Sequence, residues 1–309
     1  MAPIAGVSRV RQPCRGVDQT GVTERHYGRL MSEYVTNYTA LRVDRDEIQP
    51  SVAIVTIDHG PINLFDMDLY TQLARLGPQL AADDSVRAVV LQSDVPGWFI
   101  AHFDVTLIQR IDAHSADPLA PTAFHDMCNS FATMAKPTIV ALEGRAGGGG
   151  SELVMSCDIR IAALDHAVLN QPEVALGIIP GGSGTVRLPR LIGRGRALEV
   201  ILGCNDIDAA TAERWGWVNH ALPLEQVRPY AYQLARRIAV FPAHAVATAK
   251  ACVLAADGDV NDAFRNEAVS FHRTLAQPAT QAAMTKFMDN GGQTPQGEAR
   301  LGALLGELS

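Results

Sequence analysis

Short runs of β-branched and other apolar residues alternate along this chain with segments whose apolar residues recur at helical spacing. The runs over residues 52–57, 87–92 and 138–142 predict buried strands. Four leucines that recur every three or four residues behind Asp66 predict a helix with Asp66 as its N-cap, and residues 124–134 predict another. Strands that alternate with helices form a mostly parallel sheet, so the sequence predicts an α/β fold.

The two ends of this alternating region carry different patterns. Residues 38–43 and 52–57 are β-rich runs on either side of a charged, proline-containing turn, which predicts a β-hairpin. Beyond about Gly181 the strand patterns nearly stop, and amphipathic helical patterns extend from Val227 to Met288. We therefore divide the chain into three predicted parts, which are a disordered N-terminal extension over residues 1–37, an α/β core over residues 38–240 and a helical C-terminal region over residues 241–309.

The first thirty residues contain five arginines and two acidic residues, and they lack the apolar stretch of a secretory signal peptide. Such a composition is compatible with an organellar transit peptide. The interpretation that we favour is that Met31 is the physiological start and that the upstream residues are disordered or a cloning artefact.

Composition and charge exclude several classes of protein. Apolar residues make up 47% of the chain and charged residues 19%, which is the usual mix of a globular protein and excludes a wholly disordered one. The longest apolar runs fall well short of the ~20 residues that span a bilayer, so we expect no membrane partner. The net charge of −7 gives no general attraction for nucleic acid. Five scattered cysteines without a C-x-x-C pair indicate reduced thiols in the cytoplasm.

Common catalytic motifs are missing from the sequence. The two G-x-S-x-G candidates around Ser151 and Ser183 both lack the final glycine, so neither serine is predicted to be a nucleophile. The chain has no Walker loop and no complete dinucleotide-binding glycine motif. Its nine histidines show no H-E-x-x-H spacing, so we expect no metal site.

A run of four glycines at residues 147–150 connects the strand predicted over residues 138–142 to an apolar helical segment that starts at Leu153. Because glycine has no Cβ, this backbone can approach a ligand closely and direct its N–H groups at a developing anion, with the helix dipole behind them. Such an arrangement is typical of an oxyanion hole. The alternative is a merely flexible turn, and the glycines alone do not decide between the two.

Two glutamates accompany this glycine turn. Glu152 follows the glycines closely, and Glu173 lies further along the chain behind Pro172. Either glutamate alone would most often be a solvated surface carboxylate. Together, beside a candidate oxyanion hole, they favour acid–base catalysis.

Two longer segments contain the glycine turn and the second glutamate. Residues 141–158 read ALEGRAGGGGSELVMSCD, and residues 171–184 read QPEVALGIIPGGSG. Together with VRAVVL at residues 86–91 and AERWGWVN at residues 212–219, they resemble the crotonase superfamily, the enoyl-CoA hydratases and isomerases. The resemblance extends over roughly residues 39–288.

This resemblance implies a crotonase-type α/β spiral of ββα turns, followed by a helical C-terminal region that assembles homotrimers or homohexamers. It implies an acyl-CoA thioester as substrate and no separate cofactor, because CoA is part of the substrate. The thioester oxygen would accept hydrogen bonds from the backbone N–H groups of Phe103 and Gly149, while Glu152 and Glu173 match the two catalytic glutamates. Matching positions imply further substrate-binding residues, which are Ala101, His102, Asp104, Gly148, Pro172 and Gly181.

The chain departs from the family pattern in one segment. The usual A-G-[AH]-D is here AHFD at residues 101–104, so His102 replaces the glycine and Phe103 carries the N–H donor. Histidine tolerates a left-handed backbone better than most residues, so we expect the turn to be kept. Either His102 and Phe103 are packing residues that reshape the acyl pocket, or His102 takes a direct part in catalysis.

The leading hypothesis is an enoyl-CoA hydratase, in which Glu152 orients and deprotonates water and Glu173 delivers a proton to the α-carbon. Three alternatives stay open on the same scaffold. They are a double-bond isomerase, a thioester hydrolase or decarboxylase, and a non-catalytic protein.

Overall fold

The computed structural model of the chain describes residues 38–113 and 121–308. The predicted N-terminal extension, residues 1–37, lies outside the described residues. Within these ranges, ten strands form a six-stranded and a four-stranded sheet. The strands are β1 (Leu41–Arg45), β2 (Val52–Ile57), β3 (Ala88–Ser93), β4 (Trp98–Ile100), β5 (Thr138–Leu142), β6 (Arg145–Gly147), β7 (Ile159–Ala163), β8 (Val168–Asn170), β9 (Ile207–Asp208) and β10 (His220–Leu222).

Thirteen α-helices and one 3₁₀ turn, Glu173–Leu176, occur in the same described ranges. The helices are α1 (Met67–Ala82), α2 (Val105–Ile108), α3 (Ala123–Thr133), α4 (Gly149–Ser156), α5 (Gly184–Ile192), α6 (Arg194–Gly203), α7 (Ala209–Trp215), α8 (Leu224–Ala239), α9 (Ala243–Ala256), α10 (Asn261–Leu275), α11 (Pro278–Asp289), α12 (Pro295–Ala299) and α13 (Leu301–Gly306).

The larger sheet has the strand order β1-β2-β3-β5-β7-β10. Strand β1 pairs antiparallel with β2, which confirms the predicted hairpin, and all other neighbours in this sheet pair in parallel. Every residue of β3 and β5 is buried, as expected for parallel strands that are covered on both faces. The predicted mostly parallel α/β sheet is therefore confirmed.

The smaller sheet has the strand order β4-β6-β8-β9, and the sequence did not predict it. Strands β4, β6 and β8 pair in parallel, whereas β9 pairs antiparallel with β8. Three times along the chain, a strand of the larger sheet leads into a strand of the smaller one, namely β3 into β4, β5 into β6 and β7 into β8. Helices follow these strand pairs, so the described chain consists of successive ββα units, as the predicted spiral requires.

The helix predicted behind Asp66 is α1. Asp66 Oδ1 accepts a hydrogen bond from Leu69 N at 3.0 Å, as expected of an N-cap. The four leucines on the predicted apolar face are all fully buried. This face packs against α3, which is the second helix predicted from the sequence.

Helix α4 begins inside the glycine run, at Gly149, and not at Leu153 as predicted. A Cβ added to Gly150 would lie 2.5 Å from the carbonyl oxygen of Ile100, so a larger residue does not fit there. Gly148 has φ 47° and ψ −123°, a conformation that favours glycine. The glycines therefore allow a helix to start directly against β4.

Helices dominate the chain beyond Gly181, with only the short strands β9 and β10 among them, as predicted. Helix α9 has no buried residue, and Val253 on it is 71% exposed. No single helix of the described residues is long and apolar enough to cross a membrane. Helices α8 and α9 meet the length and composition criteria only as a pair bent by 113°.

Candidate active site

A mainly apolar cavity of about 410 Å³ lies beside the start of α4. A smaller cavity of about 30 Å³ shares five of its lining residues, Phe103, Ile108, Gly149, Glu173 and Ile178. The predicted site residues that line one or both cavities are Phe103, Gly149, Glu152, Glu173, Gly181, His102 and Pro172. The structure thus brings together most of the residues that the sequence singled out, while Ala101, Asp104 and Gly148 lie outside both linings.

The backbone of Phe103 is held by an isolated bridge to Phe65. Phe65 N donates to His102 O at 2.9 Å, and Asp104 N donates to Phe65 O at 3.2 Å. Because amides alternate in direction along an extended chain, this pairing turns the N–H of Phe103 away from Phe65. No described residue accepts a hydrogen bond from Phe103 N.

Gly149 is the first residue of α4, so its N–H is one of the donors that a helix start leaves without an intrahelical partner. No acceptor for it occurs among the described residues. A Cβ added to Gly149 would lie 3.4 Å from Phe103 Cβ, which shows that the two backbones are adjacent. Two unpaired amides from separate loops therefore lie beside the same cavity.

Glu152 lies in the first turn of α4 and is 3% exposed. Its Oε1 accepts hydrogen bonds from Gly182 N and Gly184 N, both at 2.8 Å. Burial raises the pKa of Glu152 well above its ordinary value, and the charges of Glu173 and Glu267 raise it further, whereas the two amides oppose the shift. The carboxyl group is thus fixed through one oxygen, and the Glu152 side chain lines the cavity.

The turn that donates to Glu152 is held from its other side by Glu267 of α10. Ser183 N donates to Glu267 Oε1 at 2.7 Å, and Thr185 N donates to Glu267 Oε2 at 2.8 Å. His125 Nε2 lies 2.9 Å from Glu267 Oε1, and both side chains are buried. Sequence reasoning missed Glu267 and His125, because no motif marks either residue and 84 positions separate Glu267 from Ser183.

Glu173 begins the 3₁₀ turn that follows Pro172. Its Oε2 is buried without a hydrogen-bond partner among the described residues. A Cβ added to Gly148 would lie 2.8 Å from Glu173 Oε1, so the glycine run packs directly against this carboxyl group. Burial raises the pKa of Glu173 to about 8, although its own backbone amide and the charge of His102 favour the carboxylate. The group is therefore largely protonated at neutral pH.

The remaining residues of the AHFD segment have structural contacts. Ala101 is fully buried, and its N donates to Ile62 O at 3.2 Å. Asp104 caps α2 by accepting a hydrogen bond from Thr106 N at 2.8 Å. His102 does not use the left-handed backbone that histidine was expected to tolerate. The described non-glycine residues with positive φ are Asn63, Ser183, Cys204 and Gln293.

Four aromatic rings pack together beside the larger cavity, with centroids 5.3 to 6.4 Å apart. They belong to Phe65, Tyr70, Phe103 and Phe124, and all but Phe65 line the cavity. The side chain of Phe103 therefore packs within this cluster, while its amide stays unpaired. The cluster makes one wall of the cavity suitable for an apolar group.

The arrangement can stabilise a developing oxyanion with two amides and move protons with two carboxyl groups. In the part of the chain that the structure describes, no group of three or more His, Cys, Asp or Glu side chains is arranged to hold a metal ion. The two amides and the two carboxyl groups support acid–base chemistry next to an oxyanion site.

Comparison with known proteins gives a match for most of the chain. The profile of the family described as "Enoyl-CoA hydratase/isomerase" matches residues 47–294. A crotonyl-CoA hydratase from Syntrophomonas wolfei is 33% identical over 247 residues, which are 79% of this chain and 94% of that protein. The mitochondrial methylglutaconyl-CoA hydratase of Mus musculus is 37% identical over 179 residues, which are 57% of this chain and 56% of that protein.

A solved structure from Streptomyces avermitilis, named as a candidate enoyl-CoA hydratase, has the same architecture. It superposes with a TM-score of 0.80 at 34% sequence identity and covers 88% of this chain and 98% of that one. This likeness confirms the predicted crotonase-type α/β fold. Because the family profile matches most of the length of this chain, the chain belongs to the enoyl-CoA hydratase/isomerase family of the crotonase superfamily.

Proposed function

We propose that this protein is an enoyl-CoA hydratase, which adds water across the 2,3 double bond of an acyl-CoA thioester. The observation that carries the proposal is the meeting of four groups at one apolar cavity. These groups are the unpaired amides of Phe103 and Gly149 and the buried carboxyl groups of Glu152 and Glu173. Both curated relatives named above are named as hydratases of CoA thioesters, which supports the same reaction.

The amides of Phe103 and Gly149 form the proposed oxyanion hole. Attack of water on carbon 3 of a conjugated thioester builds enolate charge on the carbonyl oxygen. Two preorganised N–H donors would stabilise that charge in a mainly apolar cavity. Removal of one such donor typically costs ~2.7–4 kcal/mol of transition-state stabilisation.

The two glutamates have different environments, which suits two different roles. Gly182 N–H and Gly184 N–H favour the carboxylate form of Glu152 and oppose the burial and neighbouring charges that raise its pKa. We assign Glu152 the role of orienting and deprotonating the attacking water. Glu173 lacks such donors on Oε2, and its raised pKa keeps a proton available for the α-carbon. Because neighbouring carboxyl groups titrate as a pair, we assign one shared proton to Glu173 and the negative charge to Glu152.

The remaining predicted site residues complete this proposal. Ala101, Asp104 and Gly148 support the backbone of the oxyanion hole, while Pro172 and Gly181 shape the cavity around the substrate. CoA is part of the substrate, and the proposed steps use no further cofactor.

Three predictions about the whole protein also stay proposals. Helix α9 exposes apolar side chains such as Val253 and Leu254, which supports assembly of the region over residues 241–309 into homotrimers or homohexamers. We also propose the boundary between this region and the core over residues 38–240, because α9, the first helix after that boundary, has no buried residue. Free, buried thiols such as Cys128 and Cys157 support a reducing, cytoplasmic location.

The direct test is incubation of the protein with crotonyl-CoA and longer 2-enoyl-CoA esters. Loss of the conjugated enoyl absorbance, together with a 3-hydroxyacyl-CoA product identified by mass spectrometry, is the expected result. Movement of the double bond without a gain of water would identify an isomerase instead. Release of free CoA thiol would identify a hydrolase, and no turnover of any ester would contradict the proposal.

A further inference from the structure

The segment that contains α12 contacts the side chains of the residues on either side of Phe103, although the two segments are far apart in sequence. His102 Nε2 lies 3.0 Å from Glu298 Oε1, across 196 positions of the chain. Gln293 N donates to the same Glu298 oxygen at 2.7 Å, and the Gln293 side chain donates to Asp104 Oδ1 at 3.0 Å. The C-terminal segment therefore holds the AHFD segment at two points.

A proton on both ring nitrogens of His102 satisfies both of its hydrogen bonds when Glu298 is a carboxylate. Nδ1 lies 2.9 Å from the carbonyl oxygen of Phe103, which can only accept. Nε2 faces Glu298 Oε1, which already accepts a hydrogen bond from Gln293 N. Beside a carboxylate, a neutral imidazole would direct a lone pair at one of these two acceptors. With Glu298 ionised, the two side chains form an imidazolium–carboxylate pair, with His102 4% exposed and Glu298 fully buried.

The neighbouring charges agree with this protonation state. Burial lowers the pKa of His102, but the charge and hydrogen bond of Glu298 outweigh it, and the pKa is raised overall. Burial raises the pKa of Glu298, but the charge and hydrogen bond of His102 and, more weakly, the charge of Arg145 lower this pKa below its ordinary value. Glu173 also favours the imidazolium, but only in its carboxylate form.

His102 contacts both parts of the proposed site. Its carbonyl oxygen accepts from Phe65 N, and its ring donates to Phe103 O, so the peptide groups on both sides of Phe103 are fixed. The same side chain lines the smaller cavity together with Gly149 and Glu173. The pair is therefore next to the amide donors and to the proton donor at once.

We propose that the buried His102–Glu298 ion pair is a positioning element for the reaction of this site. His102 fixes the Phe103 amide toward the thioester oxygen and places a positive charge beside Glu173 and the developing enolate, while Glu298 keeps His102 charged and in place. This inference rests on the proposed hydratase function. It gives a function to the histidine that replaces the family's glycine.

The protonation state can be measured without any turnover. With ¹⁵N-labelled histidine, the NMR signals of His102 are assigned by their loss in His102→Gln. In the wild-type protein at neutral pH, both ring nitrogens of His102 should have the chemical shifts of protonated nitrogens. In Glu298→Gln, at least one nitrogen should lose this signature, because the carboxylate that stabilises the charge is gone. A neutral His102 in the wild-type protein would overturn the proposal.

Kinetics separate positioning from binding. Both Glu298→Gln and His102→Gln should lower kcat for enoyl-CoA hydration about 10- to 100-fold, as expected for a misplaced reacting group, while KM stays within about threefold. The double variant should lose little more than either single variant, because the two residues act as one unit. Glu307→Gln, which removes an exposed ion pair with Arg300, serves as the matched control and should leave kcat unchanged.

The outcomes distinguish this inference from the proposed function. If the wild-type protein hydrates enoyl-CoA esters and Glu298→Gln has the same kcat, the positioning role is wrong and the proposed hydratase function stands. A wild-type protein that hydrates no enoyl-CoA ester, yet shows a doubly protonated His102, would contradict the proposed function and with it the role in hydration.

Discussion

Glu152 and Glu267 lie on opposite sides of one turn that has four consecutive N–H donors. Each glutamate accepts hydrogen bonds from two alternate residues of this turn. Gly182 N and Gly184 N donate to Glu152, whereas Ser183 N and Thr185 N donate to Glu267. Ser183 has a φ of 101°, which is unusual for a residue with a side chain. The two carboxyl groups together hold this turn, and through it Glu267 fixes the position of Glu152.

Glu267→Gln should weaken the turn and lower activity. The amide has one acceptor oxygen and an NH₂ group that would face donors, so at least one buried N–H loses its partner. We expect a loss of about 1–3 kcal/mol in the free energy of unfolding, measured with urea, and a lower kcat. Glu225→Gln, at an exposed position in the first turn of α8, is the control and should change neither quantity. Wild-type stability and kcat in Glu267→Gln would refute the role of the turn.

Replacing Glu152 or Glu173 with glutamine removes the proposed base or the proposed acid while it keeps the shape of each side chain. We expect each change to lower kcat for hydration about 10²- to 10⁴-fold. Binding of a saturated acyl-CoA ester, measured by calorimetry, should stay nearly unchanged, because the oxyanion donors are main-chain groups. Unchanged turnover in both variants would reject the assignment, and loss in Glu173→Gln alone would favour an isomerase.

The pH dependence of hydration should follow the pKa of Glu173, which burial raises to about 8. Glu173 must be protonated to deliver a proton to the α-carbon, so kcat/KM for hydration should fall as the pH rises through about 8. Dehydration of the 3-hydroxyacyl ester uses the same singly protonated pair with the proton on Glu152 and the carboxylate on Glu173, so its kcat/KM should fall over the same interval. A kcat/KM for hydration that stays constant or rises through about pH 8 would contradict the assignment.

Gly182→Ala tests how closely the catalytic groups pack. An added Cβ would lie 2.4 Å from Glu152 Oε2 and 2.4 Å from ring atoms of Phe124, so Glu152 must move. We expect at least a tenfold lower kcat, with most of the structure retained by circular dichroism. Gly195→Ala in α6 meets no atom within 4 Å and should leave kcat unchanged. Equal activity in both alanine variants would show that the position of Glu152 is not restricted by this contact.

The aromatic wall predicts how acyl preference can be changed. Phe124→Ala removes one ring of the cluster, whose centroid lies 5.3 Å from that of Phe65, and enlarges the cavity. The ratio of kcat/KM for longer acyl chains to that for crotonyl-CoA should increase, since each added CH₂ that becomes buried contributes about 0.8 kcal/mol. Phe241→Ala, at a 42% exposed ring, should leave the ratio unchanged. A ratio that stays at the wild-type value in Phe124→Ala would place the acyl group elsewhere.

The elements that the sequence predicted correctly are those with strong local patterns. The hairpin, α1, β3 and β5 carry apolar runs or leucines at regular spacing, and Asp66 marks a helix start. Strands β4, β6 and β8 have three residues each, which is too short for an alternation to be visible. The smaller sheet that they form was therefore missed.

The same limit applies to the candidate site. Glu152 and Glu173 could be found because they lie in segments of strongly biased sequence beside a glycine run and a proline. Glu267, His125 and Glu298 reach the site only through long-range packing, and nothing near them in the chain indicates a ligand or a reaction. Contacts of this kind depend on the tertiary fold, which local propensity does not contain.

The contact between His102 and Glu298 has a consequence for the order in which the protein matures on the ribosome. Translation reaches Glu298 long after the AHFD segment has been made, so the growing chain carries a histidine whose acidic partner has not yet been synthesised. Burial without that partner favours the uncharged ring. The segment that carries Phe103 therefore acquires its final electrostatic environment only after Glu298 has been made, when all ten described strands have already been translated.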